Sequence, residues 1–380
     1  MLDATSQPVL IVADSIAQFD RVEWDRCFPA ELESWDYYRA VENARLPDFE
    51  FCYLGLRQAG QLVAVVPAFM TDYSLDTTVQ GGWKRLTGAI DRYFPDLFCV
   101  RILCLGSPVS EICHLGFAPG IEFDVQADLL RRLLAAADGT ARERGIGMVT
   151  IKDAAGTIDN LWQECERAGF QRLPSLPTAI LPLPFARFED YLASLSRATR
   201  KDMKRKLKVA GRIRIEQRRQ IDDVLLSVVA LYEATRARSD LQFEELPATY
   251  FAGVLSAMSG RASCFLYWDD SALVAFNLVL HDDHRLIDKF LGMDLAAARA
   301  YNLYFLSWAT NVRYCIEQGI DCYQSGQADY GPKLRLGSHL LPNHLYFRHR
   351  QPAIHWLLRL VGRLVNPHHF DKHLQGKQAA

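Results

Sequence analysis

The chain has 380 residues, 49% of them apolar, and 43 Lys/Arg against 45 Asp/Glu give a net charge of −2, which leaves no long-range pull on nucleic acid. Nine scattered Cys, with no Cys-x-x-Cys pair and no matched Cys/His spacing, indicate neither a zinc ribbon nor a disulfide framework and fit reduced thiols. Residues 1–20 lack the basic and apolar regions of a signal peptide, and no apolar run approaches the ~20 residues that span a bilayer, so the expectation is a soluble, cytoplasmic chain.

In chain order, Phe28 to Ala44 reads as a helix carrying Trp35, Tyr37 and Tyr38. Phe51–Arg57 and Leu62–Phe69 alternate as a β-hairpin. Residues 71–101, rich in Gly and aromatics, read as an insertion. A strand Leu103–Leu105 leads into Gly106-Ser107-Pro108 and Cys113-His114-Leu115-Gly116. A helix Asp128–Arg144, a strand Met148–Lys152 and a short helix Leu161–Ala168 follow. Pro174, Pro177, Pro182 and Pro184 then set a boundary near Pro184, dividing the chain into 1–184, 185–350 and a tail 351–380.

The second half opens with one helix whose apolar positions are Leu192, Leu195, Thr199, Met203, Leu207 and Ala210. A strand Ile213–Glu216, helices Val224–Arg238 and Tyr250–Met258, and strands Cys264–Trp268, Leu273–Leu280 and Leu286–Gly292 come next. Tyr301 to Gln318 is a strong helix, followed by strands Asp321–Gln324 and Leu345–Arg348. The closing helix, Ile354–Val365, carries an apolar stripe (Ile354, Leu357, Leu358, Val361, Leu364, Val365) expected to pack against protein, with anionic lipid as the alternative contact.

The two halves repeat one order of elements. Leu62-Val63-Ala64 and Leu273-Val274-Ala275 each follow a turn signal, and Glu143-Arg144-Gly145-Ile146 and Glu317-Gln318-Gly319-Ile320 each end an amphipathic helix at Gly and open a strand. A duplicated α/β module with a cleft between the copies is the expectation.

Three stretches carry a resemblance. Leu195-Ser196-Arg197-Ala198-Thr199-Arg200-Lys201-Asp202-Met203-Lys204-Arg205-Lys206 looks like the basic helix that opens the second module of Fem-like proteins. Asp288-Lys289-Phe290-Leu291-Gly292-Met293-Asp294 looks like their central strand, and Gly326 with Lys333-Leu334-Arg335-Leu336-Gly337 like their C-terminal signature. The chain thus resembles the Fem-like branch of the GNAT acyltransferases, best over 185–348. The resemblance implies an α/β (α+β) fold of two GNAT-like modules, each a mixed, mostly antiparallel sheet flanked by helices. It also implies acyl or aminoacyl transfer to an amine acceptor without a covalent enzyme intermediate. Where acetyl-CoA enzymes hold pyrophosphate on a Gly-rich loop, this chain has Ala296-Ala297-Ala298-Arg299-Ala300, which leaves acyl-CoA open as a donor substrate and no cofactor permanently bound. A catalytically inactive scaffold for envelope or polysaccharide assembly and an aminoacyl-tRNA-dependent ligase are the rival readings. The latter lacks the long heptad-patterned arm of tRNA-using members, but tRNA stays open as a partner; DNA does not.

For chemistry, residues 197–219 hold eleven Lys/Arg against two acids. Arg197, Arg200, Lys201 and Lys204 are candidates for a phosphate-bearing group, with a solvated face as the plainer reading. The resemblance places an oxyanion-binding backbone near Phe290–Met293, with Phe290, Gly292, Arg299 and Asn302 as donor-binding candidates. Asp288 and Asp294 flank that strand as candidate bases or amine grips, and Lys289 is expected on the opposite face from Asp288. Lys333 follows a presumed turn at Tyr330-Gly331-Pro332 and is the candidate grip for an anionic group. Tyr330 and Tyr301 are candidate proton donors, though both suit packing better. His281, His284 and His339 lack spaced partners for a metal.

Overall fold

The computed structural model describes residues 7–74, 99–239 and 243–362. Residues 75–98 of the expected insertion, and Leu364 and Val365 of the expected apolar stripe, lie outside the described residues. The strands are β1 (Val9–Ala13), β2 (Glu50–Gln58), β3 (Gln61–Ser74), β4 (Cys99–Leu105), β5 (Gly116–Phe117), β6 (Met148–Ala155) and β7 (Gln171–Pro174). They continue as β8 (Thr178–Pro182), β9 (Arg214–Arg218), β10 (Ala262–Asp269), β11 (Ala272–His281), β12 (Arg285–Met293), β13 (Cys322–Gln324), β14 (His339–Leu341) and β15 (Asn343–His349). The helices are α1 (Arg21–Cys27), α2 (Trp35–Ala44), α3 (Phe123–Glu143), α4 (Asp159–Arg167), α5 (Phe188–Ser194) and α6 (Arg197–Val209). After these come α7 (Leu225–Arg236), α8 (Ala248–Ala257), α9 (Leu295–Tyr301), α10 (Leu303–Gln318), α11 (Tyr330–Arg335) and α12 (Pro352–Gly362).

Two compact units divide the chain. Unit one is Met1–Trp35, Pro47–Pro177 and Leu341–Ala380; unit two is Asp36–Leu46 and Thr178–Leu340. The sheet of unit one runs β1-β2-β3-β4-β6-β15-β7, and that of unit two, read from its other edge, runs β9-β10-β11-β12-β13-β8-β14. In each, a four-stranded antiparallel meander is followed by a parallel strand, β6 beside β4 and β13 beside β12. The sixth place in each sheet is taken by a strand from the other half of the sequence, β15 in the first and β8 in the second. A strand just before the expected boundary near Pro184 is therefore part of the second sheet.

The repeated sequence signals have repeated geometry. Gly145 (φ 72°) and Gly319 (φ 71°) close α3 and α10 in the left-handed region that a Cβ disfavours. The next amide in each, Ile146 and Ile320, bonds back to Ala141 O at 2.7 Å and Cys315 O at 2.8 Å. Each long helix lays one stripe on its sheet. In unit one Leu130, Leu133, Leu134 and Ala137 pack with Leu54, Val66, Leu103 and Val149. In unit two Leu303, Leu306, Trp308 and Val312 pack with Phe265, Leu286 and Tyr323.

Local expectations fail where a cap or a partner decides the matter. Phe28–Ala44 is not one helix: α1 ends at Cys27, Ala30 turns the chain at φ 62°, and α2 starts at Trp35. The helix expected across 192–210 breaks at Leu195-Ser196, where Ser196 Oγ caps α6 by accepting from Thr199 N at 3.2 Å. Residues 296–300 are not a loop but the body of α9. Tyr330-Gly331-Pro332 is not a turn that launches a new strand; it is the first turn of α11, where a proline lacks no needed N–H. The closing helix does not bury its whole stripe: Leu357 is 55% exposed, with Ile354, Trp356 and Leu360 also open. It is held through Arg359, whose Nε donates to Gln171 Oε1 at 2.9 Å.

Candidate active site

Strand β13 accompanies β12 only briefly, pairing Cys322, Tyr323 and Gln324 with Arg285, Leu286 and Ile287. From Asp288 to Met293, β12 runs on after β13 has ended. Asp288 stands at this parting and collects donors from three other elements. Asn277 Nδ2, on β11, donates to its Oδ1 at 2.5 Å. Tyr323 OH and Asn311 Nδ2, on β13 and α10, donate to its Oδ2 at 2.8 and 3.2 Å. Burial pushes the Asp288 carboxyl above its ordinary 3.8, against the pull of Tyr323, Asn277 and the Lys333 charge.

The surroundings are short of donors. Asn277 Oδ1, Asn311 Oδ1 and the Tyr304 hydroxyl are buried and have no hydrogen-bond partner among the described residues. Tyr304 is held above its usual pKa by burial and by the nearby charges of Asp329 and Asp288. Lys333, only 5% exposed, donates Nζ–H to Gly326 O at 2.9 Å. The intervening loop carries three positive-φ positions, Gly326, Ala328 and Asp329, at φ 87°, 75° and 50°. Strain of this kind in non-glycine residues persists only where the surroundings impose it.

The duplication supplies an internal comparison. Aligning the helix-ending glycines, Gly145 on Gly319, sets Ala137 against Asn311, Val149 against Tyr323, and Leu130 and Leu133 against Tyr304 and Ser307. Aligning the two Leu-Val-Ala strands sets Val66 against Asn277. The strand registers then agree twice on Leu105 as the counterpart of Asp288: Ala68 pairs Leu105 as Val279 pairs Asp288, and Ile102 pairs Met148 as Arg285 pairs Cys322. Val66, Leu105, Leu130, Leu133, Ala137 and Val149 all belong to the apolar core of unit one. One fold is thus closed by hydrocarbon in the first copy and by a polar cluster in the second. Unit one closes the matching positions without a polar cluster.

The other residues singled out in the sequence are distributed as follows. Asp294 is the N-cap of α9, its Oδ1 accepting from Ala297 N at 2.8 Å, and it lies six residues along the strand from Asp288, about 20 Å at strand rise. Lys289 is the extra residue of a bulge, since Val279 pairs Asp288 and Leu278 pairs Phe290. Its ammonium sits 5.0 Å from the Tyr37 ring, while Phe290 packs on Tyr232 and Tyr250. Gly292 is a packing glycine: a Cβ there would meet Phe276 at 2.2 Å and the Leu231 backbone at 3.0 Å. Asn302 adopts φ 54° between α9 and α10, and Arg299 is exposed on α9. The Ala297 and Ala298 amides are bonded to Asp294. Tyr301 hydrogen-bonds Asp269, and Tyr330 is fully buried. On α6, Arg197, Lys201 and Lys204 are exposed, whereas Arg200 caps α5 by donating to Ala193 O at 2.9 Å. The sequence reading did not single out Asn277, Asn311, Tyr323 or Tyr304, which the structure gathers around Asp288.

The raised Asp288 pKa has a stability consequence of definite sign. The folded state holds this proton more tightly than the unfolded chain, so folding stability falls as pH rises above about 3.8 toward the folded pKa. Asp288→Asn should remove that component. Chemical denaturation of the two proteins from pH 4 upward would show their stability difference changing with pH; a constant difference would mean the carboxyl is not perturbed.

A family model described as FemAB-like, peptidoglycan biosynthesis/recognition, matches residues 15–356. No curated protein matches the chain. Among solved structures, FemX is similar with a TM-score of 0.58 at 12% identity, over 92% of this chain and 100% of FemX. A tandem GNAT protein from the clavulanic acid biosynthesis pathway gives 0.54 at 13%, over 91% and 99%. The C-terminal domain of a putative lysylphosphatidylglycerol synthetase from Agrobacterium fabrum gives 0.53 at 15%, over 92% and 97%. At such identities the likeness is one of fold, and it is the tandem GNAT fold of two mostly antiparallel sheets flanked by helices. Among the described residues no helix is long and apolar enough to cross a membrane.

Proposed function

The chain belongs to the FemAB-like family, peptidoglycan biosynthesis/recognition, and on that premise we propose that it is a transferase moving an acyl or aminoacyl group onto an amine, with Asp288 of unit two at the centre of the chemistry. The observation that carries this reading is the polar cluster that the first copy of the fold lacks. A carboxylate beside carbonyl oxygens without donors suits a ligand that brings N–H groups, as an amine acceptor does. Asp288 takes the proton from the acceptor ammonium, and the freed amine attacks the donor carbonyl. The C–N bond forms and the bond to the leaving group breaks; a tyrosine hydroxyl gives the leaving group its proton and is restored by the second proton that the new amide nitrogen sheds, while the proton on Asp288 passes to solvent. Tyr304 is favoured for that step over the sequence candidates Tyr330 and Tyr301. Backbone amides of β12 beyond Asp288 are the proposed oxyanion donors.

Direct transfer fits the thiols: burial pushes Cys264 and Cys104 up to about 12, far from the thiolate a covalent route needs. The exposed Arg197, Lys201 and Lys204 favour a phosphate-bearing donor, which acyl-CoA and aminoacyl-tRNA both are. The test offers each donor with an amine-bearing peptidoglycan precursor peptide and reads amide product by mass spectrometry. Product with either donor supports the reading; none with both leaves the scaffold role in its place. Lys333→Met, which keeps the buried stem and deletes the charge, should lower turnover at least ~10-fold, about 1.4 kcal/mol. A folded variant with full activity would make Lys333 purely structural.

A further inference from the structure

Unit one holds a second cluster of chemistry-bearing side chains, which the transfer reaction does not use. Glu31 and Glu33 lie on the segment between α1 and α2, and His114 on the segment between β4 and β5. Their ligand atoms lie within 4.8 Å of one another, the one such grouping of three His, Cys, Asp or Glu among the described residues. Glu33 and His114 are 3% and 6% exposed, so this is an interior cluster and not a wet acidic surface.

The two carboxylates are arranged alike. Each Oε1 accepts a fixed donor: Ser110 Oγ–H to Glu33 at 3.1 Å, and the Glu33 amide to Glu31 at 3.2 Å. Each Oε2 is turned to His114 Nε2, at 3.6 Å from Glu31 and 3.4 Å from Glu33. A charge-assisted hydrogen bond from His to carboxylate would close to about 2.7–2.9 Å. Around a tetrahedral ion bound at ~2.0–2.2 Å, ligand atoms stand about 3.3–3.6 Å apart, which is the spacing found. One buried and one part-buried carboxylate also match a divalent charge, where burying them without a counter-charge would be costly.

We propose that Glu31, Glu33 and His114 bind a divalent first-row metal ion, Zn²⁺ foremost. One nitrogen and two oxygens suit zinc and disfavour calcium, which takes oxygen alone. Three protein ligands leave a fourth position for water or a ligand oxygen. Ser110 then acts through Glu33, fixing the carboxylate so that Oε2 faces the metal side.

The test uses the full-length protein, stripped with chelator and titrated with ZnCl2 by calorimetry. One saturable site per chain and a melting temperature raised by Zn²⁺ and restored by chelator are expected. Glu33→Gln and His114→Ala should each weaken binding at least ~10-fold, while His284→Ala, at an exposed position, should not. X-ray absorption of the wild-type zinc complex supplies a readout independent of whether the variants fold: nitrogen and oxygen ligands support the site. Sulfur in the coordination sphere, unaltered affinity in both variants, or no saturable binding overturns it.

Discussion

Asp288→Asn should lower turnover at least ~100-fold and leave the protein folded. A positioned general base contributes roughly 10²–10⁴-fold, or about 3–5 kcal/mol of barrier. Asn has the shape of Asp but cannot take the acceptor's proton. Its remaining oxygen can keep the donors Tyr323 and Asn311, which both point at Oδ2. Its new amide meets Asn277, which can turn to offer the Oδ1 that now has no partner. The structural loss should therefore stay near ~1 kcal/mol. Asp288→Ala is a different experiment: it strands three donors and should cost roughly 3 kcal/mol or more through unpaired polar groups. Amide formation measured at several pH values separates the two effects. A folded Asp288→Asn protein with wild-type turnover would remove Asp288 from the chemistry.

Replacing the whole cluster with hydrocarbon should abolish activity and preserve stability. The variant Asn277→Leu, Asp288→Leu, Asn311→Leu, Tyr323→Phe copies in unit two the apolar state that Val66, Leu105, Ala137 and Val149 have in unit one, with side chains chosen to conserve volume. Buried polar clusters replaced as a unit by well-packed apolar groups are often neutral or stabilising, while single removals are strongly destabilising. Denaturant unfolding should place the quadruple variant above Asp288→Ala, with turnover below detection. Should the quadruple variant fail to fold while Asp288→Ala folds, the cluster is architectural and the comparison between the copies has misled.

The sequence carried the fold well where a local signal and the tertiary outcome coincide. The Leu-Val-Ala hairpins and the Gly145 and Gly319 helix ends are such places, because a left-handed cap and a period-two strand are written in adjacent residues. It carried less where one hydrogen bond decides. Ser196 capping α6 and Arg200 closing α5 split a stripe that periodicity reads as continuous. Edge strand β1, with Val9 and Leu10 exposed, has little burial pattern to reveal it. Asp288 and Lys333 entered as candidates mainly through resemblance, Lys333 also through the turn expected at Tyr330-Gly331-Pro332. Their partners had a weaker signal that went unused: Asn277 is the lone amide in the strand Ala272–His281, and Asn311 sits on the buried stripe of α10. A solitary amide where every neighbour is apolar needs a partner, and the matching position in the other half shows that hydrocarbon would have served.

The exchange of sixth strands governs how this protein can be made and cut. During synthesis β7 emerges early, yet its partner in the sheet is β15, near the far end of the chain. The first sheet cannot close until β15 has left the ribosome, so its outer strand waits with an exposed edge, a state prone to wrong pairing. Cleavage near Pro184 would not yield two working halves. The first fragment would keep β7 without the strand it pairs with, and the second would lack β8, the strand beside β13. Each sheet thus takes its sixth strand from across the midpoint of the sequence, which ties the completion of both sheets to one continuous chain.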